Sequence, residues 1–166
     1  MVAEDSVEIW LSTLQKKKLD IVITYHSNEE AANEVISQIE SNGQKAIALQ
    51  LDVTDLASYN SFINLLSSSM NSTFGTDKVD YLVNNGGFIY YAPYSATSEE
   101  QFDDLLNVHF KGPFFLTQKL LGNINDNGGI VNVSTGLARF STPGFATYAA
   151  MKGAMETLTK YQAKEL

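Results

Sequence analysis

Several residue types are scarce or absent in this chain. Its 166 residues include no cysteine and a single arginine, Arg139, and the formal net charge is −8. A chain without cysteine has neither a disulfide framework nor a thiolate metal site. The acidic balance and the scattered lysines do not provide the basic face that nucleic acid binding requires, so we expect no nucleic acid partner.

Long apolar runs are also missing. No stretch of about 18 apolar residues occurs, and the N-terminus lacks the charged-then-apolar layout of a signal peptide. We therefore expect a cytoplasmic protein that does not associate with a membrane. The two histidines, His26 and His109, each lack a second ligand at helical spacing, so we expect no metal.

Glycine is absent from the first part of the chain, where Gly43 is the first to occur. A glycine-rich loop, whose backbone N–H groups bind phosphate, therefore cannot lie before the first predicted strand. The opening residues predict a helix instead, with Asp5 or Ser6 as its cap. Its apolar positions, at helical spacing, are Val7, Trp10, Leu11 and Leu14.

The rest of the sequence alternates between strand and helix patterns, which is typical of parallel βαβ units in an α/β fold. With 44% hydrophobic residues, the chain suffices for a single domain over residues 1–166. Strands are predicted at 19–25, 45–53, 80–84 and 130–134. Helices are predicted at 29–41, 56–70, 98–121 with a kink at Pro113, and 147–166.

The most informative residues are Tyr148 and Lys152, which form the segment Y-A-A-M-K. Residues four apart lie on one face of a helix, so the hydroxyl and the amine are expected to be neighbours. A protonated amine favours the ionised form of a nearby phenol. A phenol in that setting can exchange a proton with an alcohol or a carbonyl.

Three predicted strands end in small polar residues. The first two such ends are Asp52-Val53 and the turn Asn84-Asn85-Gly86-Gly87, and the third is Ser134-Thr135, shortly before the Tyr148 helix. In open α/β sheets, ligands bind outside the carboxyl ends of the strands. These ends and the helix together therefore indicate a binding site.

With these motifs in this order, the chain resembles the short-chain dehydrogenase/reductase family from about residue 19 to 166. The resemblance implies a Rossmann-like, doubly wound parallel sheet and hydride transfer between NAD(P) and a small carbonyl or alcohol substrate. It assigns catalytic roles to Asn107, Thr135, Tyr148 and Lys152. It assigns cofactor contacts to Ser27, Asn28, Asp52, Val53, Asn85, Gly86, Gly87, Tyr148 and Lys152.

The roles implied by the resemblance differ from residue to residue. Tyr148 is the general acid/base, and Lys152 supports it and binds the nicotinamide ribose. Asn107 holds a water that relays protons towards Lys152. The family's serine lies thirteen residues before its tyrosine, which is the position of Thr135 here. Ser134 remains the alternative, because neighbouring strand residues point to opposite faces and only one of the two can face the substrate.

The remaining cofactor positions surround the other strand ends. Asn85, Gly86 and Gly87 form a turn that lets the cofactor approach the backbone, while Asp52 and Val53 border the adenine. No carboxylate follows the first predicted strand until Glu29, and Ser27 and Asn28 could donate to a 2′-phosphate. NADP is therefore expected, with NAD as the alternative.

The chain departs from the family at both ends, since the first strand with its glycine-rich turn and the C-terminal substrate-binding part are not found. For this reason we expect the chain to bind NADPH weakly or not at all. The rival interpretation is a non-catalytic remnant or a binding module that has lost cofactor binding.

The last two long helices carry apolar residues on more than one side, so we expect a homodimer or homotetramer. The apolar residues concerned are Phe102, Leu105, Leu106, Phe110, Phe114, Phe115, Met151, Met155 and Leu158.

Overall fold

The computed structural model describes residues 19–166. The helix predicted around Val7 and Trp10 lies outside the described residues. No helix within the described residues is long and apolar enough to cross a membrane.

Four strands form two parallel pairs. Strand β1, Ile21–Tyr25, pairs with β2, Ala46–Gln50. Strand β3, Val79–Asn84, pairs with β4, Ile124–Asn132, and within residues 19–166 no ladder joins the two pairs. Parallel strands connected through helices form a Rossmann-like α/β arrangement, which confirms the predicted fold class.

The helices cover these strands. They are α1, Glu29–Ser41; α2, Tyr59–Phe74; α3, Glu99–Leu106; α4, Gly112–Leu120; and α5, Ala146–Glu165. Short 3₁₀ turns lie at Leu56–Ser58, Tyr94–Ala96, Leu121–Asn123 and Gly136–Ala138.

Side-chain caps define where two of the helices begin. Asn28 accepts a hydrogen bond from the Ala31 N–H at 3.0 Å at the start of α1, whose bounds match the prediction. Ser98 and Gln101 form a reciprocal capping box at the start of α3, as the sequence around Ser98 indicated. Caps of this kind satisfy backbone N–H groups that have no partner within the helix.

The long helix predicted over 98–121 is interrupted by a π-helical turn at Asn107–Lys111. The N–H of Gly112 donates to the carbonyl of Asn107, five residues earlier, instead of the usual four. Proline at 113 has no N–H to donate to the preceding turn. The predicted kink is therefore a π-turn that precedes the proline.

Strand β4 begins at Ile124 rather than at the predicted residue 130. The register with β3 jumps between Val79 and Tyr81, which pair with Ile124 and Gly129. Asn127 adopts a positive φ of 65° in this irregular stretch. Since a bulge leaves extra residues unpaired, the polar sequence N-D-N-G-G can lie within a strand although it is typical of a loop.

One apolar cluster lies between the helices and both strand pairs. Its buried members are Leu49, Leu51, Tyr59, Phe62, Leu66, Met70, Leu116 and Leu120. Side chains from β1, β2 and β3 pack against it, including Val22, Ile47 and Leu82. This shared core joins the two strand pairs, although no backbone hydrogen bonds connect them.

Candidate functional site

Lys152 lies on α5 and is 6% exposed. Its ammonium donates to the carbonyl of Val133 at 2.8 Å, directly after the end of β4. Burial lowers the pKa of Lys152 from its ordinary value of 10.5, because desolvation disfavours the charge. Lys152 is therefore a buried residue with a hydrogen bond inside the fold, and it is not a solvated surface lysine.

Tyr148 lies one turn earlier on the same helix, as the four-residue spacing predicts. The Lys152 ammonium is 5.9 Å from the centre of the Tyr148 ring, within the range of a cation–π contact. The phenol also lines a small cavity together with Leu105, Phe145 and Gln101. Tyr148 and Lys152 are thus brought together at the carboxyl end of β4.

The two candidate hydroxyls after β4 have different surroundings. Ser134 donates to the Glu156 carboxylate on α5 at 2.7 Å. Among residues 19–166, Thr135 has no such side-chain partner, and its hydroxyl accepts only a long hydrogen bond there, 3.3 Å, from the Leu137 N–H. The Thr135 hydroxyl proton is therefore free to donate elsewhere, whereas that of Ser134 is already used.

Asn107 and His109 both belong to the π-turn. Asn107 is half-buried, and its carbonyl is engaged by the Gly112 N–H. His109 is 3% exposed, and its ring packs edge-on against Tyr148 with centroids 5.0 Å apart. Sequence reasoning considered His109 only as a metal ligand and missed this placement. The π-turn that directs its ring towards Tyr148 leaves no apolar periodicity in the sequence, so the sequence offered no signal for this placement.

The glycine turn after β3 is positioned by Asn84. The Asn84 amide donates to Asn132 on β4 at 2.8 Å and to Thr117 on α4 at 3.1 Å. A Cβ at Gly86 would have no atom within 4 Å, whereas a Cβ at Gly87 would overlap the His109 imidazole. The predicted open backbone therefore lies at Gly86, next to the half-buried Asn85.

Asp52 and Val53 follow β2 and are engaged within the fold. Asp52 accepts from the Thr54 N–H and hydroxyl at 2.8 and 2.7 Å, and lies 3.6 Å from His26. The hydrogen bonds from Thr54 lower the pKa of the Asp52 carboxyl, with a smaller effect from His26. Ser27 and Asn28 lie at the neighbouring end of β1, beside His26.

Tyr59 connects the loop after β2 to the π-turn. Its hydroxyl lies 2.6 Å from the Val53 carbonyl and 3.1 Å from the Gly112 carbonyl. A Cβ at Gly112 would overlap the Val53 carbonyl, so the chain must have glycine there for the helix to approach the loop. Sequence reasoning did not identify Tyr59.

In the described part of the chain, no three His, Asp or Glu side chains are grouped so that they could hold a metal. The candidate groups are a phenol, an ammonium, hydroxyls and backbone amides. Such a set is suited to proton transfer and hydrogen bonding.

Comparison with known proteins gives consistent results. A family model described as short chain dehydrogenase matches residues 11–166. The hydroxynaphthalene reductase-like protein Arp2 of Metarhizium brunneum is 30% identical over 148 residues, which are 89% of this chain and 53% of Arp2. The chain spans about half the length of the curated relatives it matches.

Two solved structures of ketoreductases share the fold. Landomycin C-6 ketoreductase LanV, with bound NADP and rabelomycin, has a TM-score of 0.83 at 30% identity; the match covers 87% of this chain and 59% of LanV. The promiscuous reductase LugOII, which catalyses keto-reduction at C1 in lugdunomycin biosynthesis, has a TM-score of 0.84 at 32% identity. That match covers 89% of this chain and 59% of LugOII.

Proposed function

Because the chain belongs to the short-chain dehydrogenase family, we propose that its site belongs to an NADP-dependent reductase that interconverts a carbonyl and a secondary alcohol. The observation that carries the proposal is the position of Lys152. Its ammonium donates to the carbonyl of Val133 at the end of β4, two residues before Thr135. Lys152 itself lies one helical turn after Tyr148.

Tyr148 is the proposed general acid/base. It gives a proton to the carbonyl oxygen in reduction and accepts one from the alcohol in oxidation. Lys152 is the proposed support for this residue, since its ammonium lies 5.9 Å from the centre of the Tyr148 ring. Thr135 is the proposed donor that orients the substrate oxygen, because its hydroxyl proton has no partner within residues 19–166.

Asn107 is assigned the role that the resemblance of the chain to the family implies, which is to hold a water molecule near Lys152. Its carbonyl already accepts the Gly112 N–H. A carbonyl oxygen has two lone pairs, so it can accept a second hydrogen bond. The half-buried side chain of Asn107 is the other candidate group for this water.

The described residues fit a nicotinamide cofactor in two respects. Lys152 uses one N–H on Val133, which leaves two for ribose hydroxyls. Gly86 has open space where a side chain would stand, so a cofactor can approach the backbone beside Asn85 and Gly87. When bound, the cofactor supplies the hydride.

The adenine end of the cofactor is assigned to the ends of β1 and β2. Asp52 and Val53 would border the adenine, and Ser27 with the free amide N–H groups of Asn28 would meet the 2′-phosphate. NADP bound to LanV supports NADP here. NAD remains the alternative, because Glu29 and Glu30 in the first turn of α1 repel a phosphate.

The proposed substrate is a flat aromatic ketone. Tyr148 lines its cavity together with Tyr90 and Phe145. These two rings pack edge-on against Phe88, at 5.1 Å, and Tyr91, at 5.5 Å. Aromatic side chains pack favourably with the faces and edges of other aromatic rings. The hydroxynaphthalene reductase-like name of Arp2 and the rabelomycin bound to LanV support this substrate class.

The proposal is tested with the full chain, NADPH and a bicyclic aryl ketone. NADPH and NADH binding are measured by calorimetry, and turnover is followed by the loss of NADPH absorbance and by chiral analysis of the alcohol. NADPH binding with formation of one alcohol enantiomer would support the proposal. Binding of NADPH without turnover of any ketone would favour a binding module, and binding of neither cofactor would favour a non-catalytic remnant.

A further inference from the structure

His109 is a buried titratable residue that the proposed reaction does not use. Its Nε2 lies 2.6 Å from the Phe88 carbonyl, just after the glycine turn. Its other ring nitrogen, Nδ1, is buried without a hydrogen-bond partner within residues 19–166. Since buried polar atoms nearly always have partners, a solitary Nδ1 beside the catalytic tyrosine requires a reason.

The contact with Phe88 determines the tautomer of this imidazole. A carbonyl oxygen only accepts, so Nε2 must carry the proton and donate it. In the neutral ring, Nδ1 then carries a lone pair. Burial lowers the pKa of His109, the hydrogen bond with Phe88 partly opposes this effect, and the Lys152 charge adds a smaller lowering, so the ring is neutral at neutral pH.

The imidazole also occupies a defined space between three parts of the site. Phe88 holds one edge of the ring, Tyr148 packs against it, and the absence of a side chain at Gly87 makes room for it. The π-turn that carries His109 directs its side chain into this space. The glycine turn and the Tyr148 helix are thus linked through one ring.

We propose that His109 is a positioning residue for Tyr148, held as the Nε2–H tautomer by the Phe88 carbonyl, with its ring fixing the orientation of the phenol. The inference deepens the proposed function, because it assigns a support to the proposed acid/base. Protonation of Nδ1 would place a second cation beside Lys152 and against the face or edge of Tyr148. The environment of the Tyr148 ring must therefore respond to the charge on His109.

The groups that face His109 are few. From α5, Lys152 contributes the charge that acts on it, and Tyr148 is the titratable residue packed against it. From the glycine turn, Gly87 and Phe88 contribute no titratable side chain. A response of Tyr148 at the His109 midpoint can therefore be assigned to His109.

The first experiment determines the tautomer in the unmodified chain without any ligand. Long-range ¹H–¹⁵N NMR distinguishes Nε2–H from Nδ1–H imidazoles, and a His26→Gln variant identifies which of the two histidines gives each signal. We expect the Nε2–H tautomer at neutral pH and a titration midpoint below the ordinary value of 6.5. An Nδ1–H tautomer would overturn the proposal.

The second experiment follows Tyr148 in a chain with ¹³C-labelled tyrosine rings, where Tyr148→Phe assigns the signal. We expect the Tyr148 resonance to shift at the same midpoint as His109, and this shift to vanish in His109→Phe, which keeps a ring but has no nitrogen. A Tyr148 signal that stays constant through the His109 titration would contradict the inference. Neither experiment uses cofactor or ketone, so the result is independent of whether the chain catalyses reduction.

Discussion

The ammonium of Lys152 donates to the carbonyl of Val133 at 2.8 Å, and this hydrogen bond ties the last helix to the end of β4. Because the lysine is 6% exposed, its charge is retained at a cost in desolvation. Tyr148, one turn earlier on the same helix, packs edge-on against the His109 ring of the π-turn.

Tyr148→Phe is expected to lower kcat of ketone reduction by about 10²-fold or more, because it removes the positioned proton donor. Steady-state kinetics with NADPH measure the effect. Tyr161→Phe is the matched control, since Tyr161 is on the same helix but 63% exposed. Equal losses in both variants would show that the phenol of Tyr148 has no special role.

Thr135→Val is expected to lower kcat more than Ser134→Ala. The Thr135 hydroxyl has a free proton for the substrate oxygen, whereas Ser134 is bonded to Glu156 at 2.7 Å. Ser134→Ala should instead lower the free energy of unfolding by about 1.5–3 kcal/mol, the usual contribution of a hydrogen bond to a charged group. Kinetics and urea unfolding of both variants separate the two effects, and the reverse order in kcat would make Ser134 the substrate-facing hydroxyl.

His109 is expected to make the chain less stable in acid. Its pKa in the folded chain is below the ordinary 6.5, so below that pH the unfolded chain binds the proton more readily. Stability is therefore full above 6.5 and falls as the pH drops through the folded pKa, with a slope of up to about 1.4 kcal/mol per pH unit. Urea unfolding at several pH values should show a smaller loss of stability in acid for His109→Phe. The control variant His26→Gln, at an exposed site, should lose as much stability in acid as the unmodified chain.

Tyr59→Phe is expected to destabilise the chain by about 1–3 kcal/mol. The residue is only 1% exposed, and loss of its hydroxyl removes the hydrogen bond to the Val53 carbonyl, 2.6 Å away. Tyr81→Phe, at a residue 61% exposed, is the control and should change the free energy of unfolding little. An unchanged urea midpoint for Tyr59→Phe would mean that water replaces the hydroxyl at the Val53 carbonyl.

Self-association is the remaining prediction. Leu105, Met151 and Met155, expected at an interface, are buried within the chain, which removes part of the basis for the prediction. Phe102 and Phe115 remain exposed on α3 and α4 and could be buried by a second copy. We expect a dimer or larger assembly by light scattering, and dissociation in Phe115→Ser; a monomer of 18.3 kDa at high concentration would contradict it.

Local patterns predicted the local structure well. The helix predicted at 29–41 has those bounds in the structure, and the helix predicted from 98 is capped by Ser98. That Tyr148 and Lys152 are neighbours on one helix face was also predicted from helical spacing alone. These features depend on contacts within a few residues, so the sequence contains the necessary information.

Long-range contacts could not be predicted in the same way. The bond of Lys152 to Val133 and the bond of Tyr59 to Gly112 join residues that are far apart in the chain. The π-turn escaped prediction because its i→i+5 bond leaves no apolar periodicity to detect. His109 was therefore not recognised, since only the turn directs its ring towards Tyr148.

The π-turn also sets the angular phase of the helix on either side of it. In a regular α-helix, Leu105 and Leu116 would lie only about 20° apart around the axis, on one stripe. One residue more per turn rotates everything that follows by about 100°. Leu105 accordingly lines the cavity with Tyr148, while Leu116 lies in the apolar core. A one-residue deletion within Asn107–Lys111 would cancel this rotation. It would turn Leu116 and Leu120 out of the core without changing the chemistry of any remaining side chain.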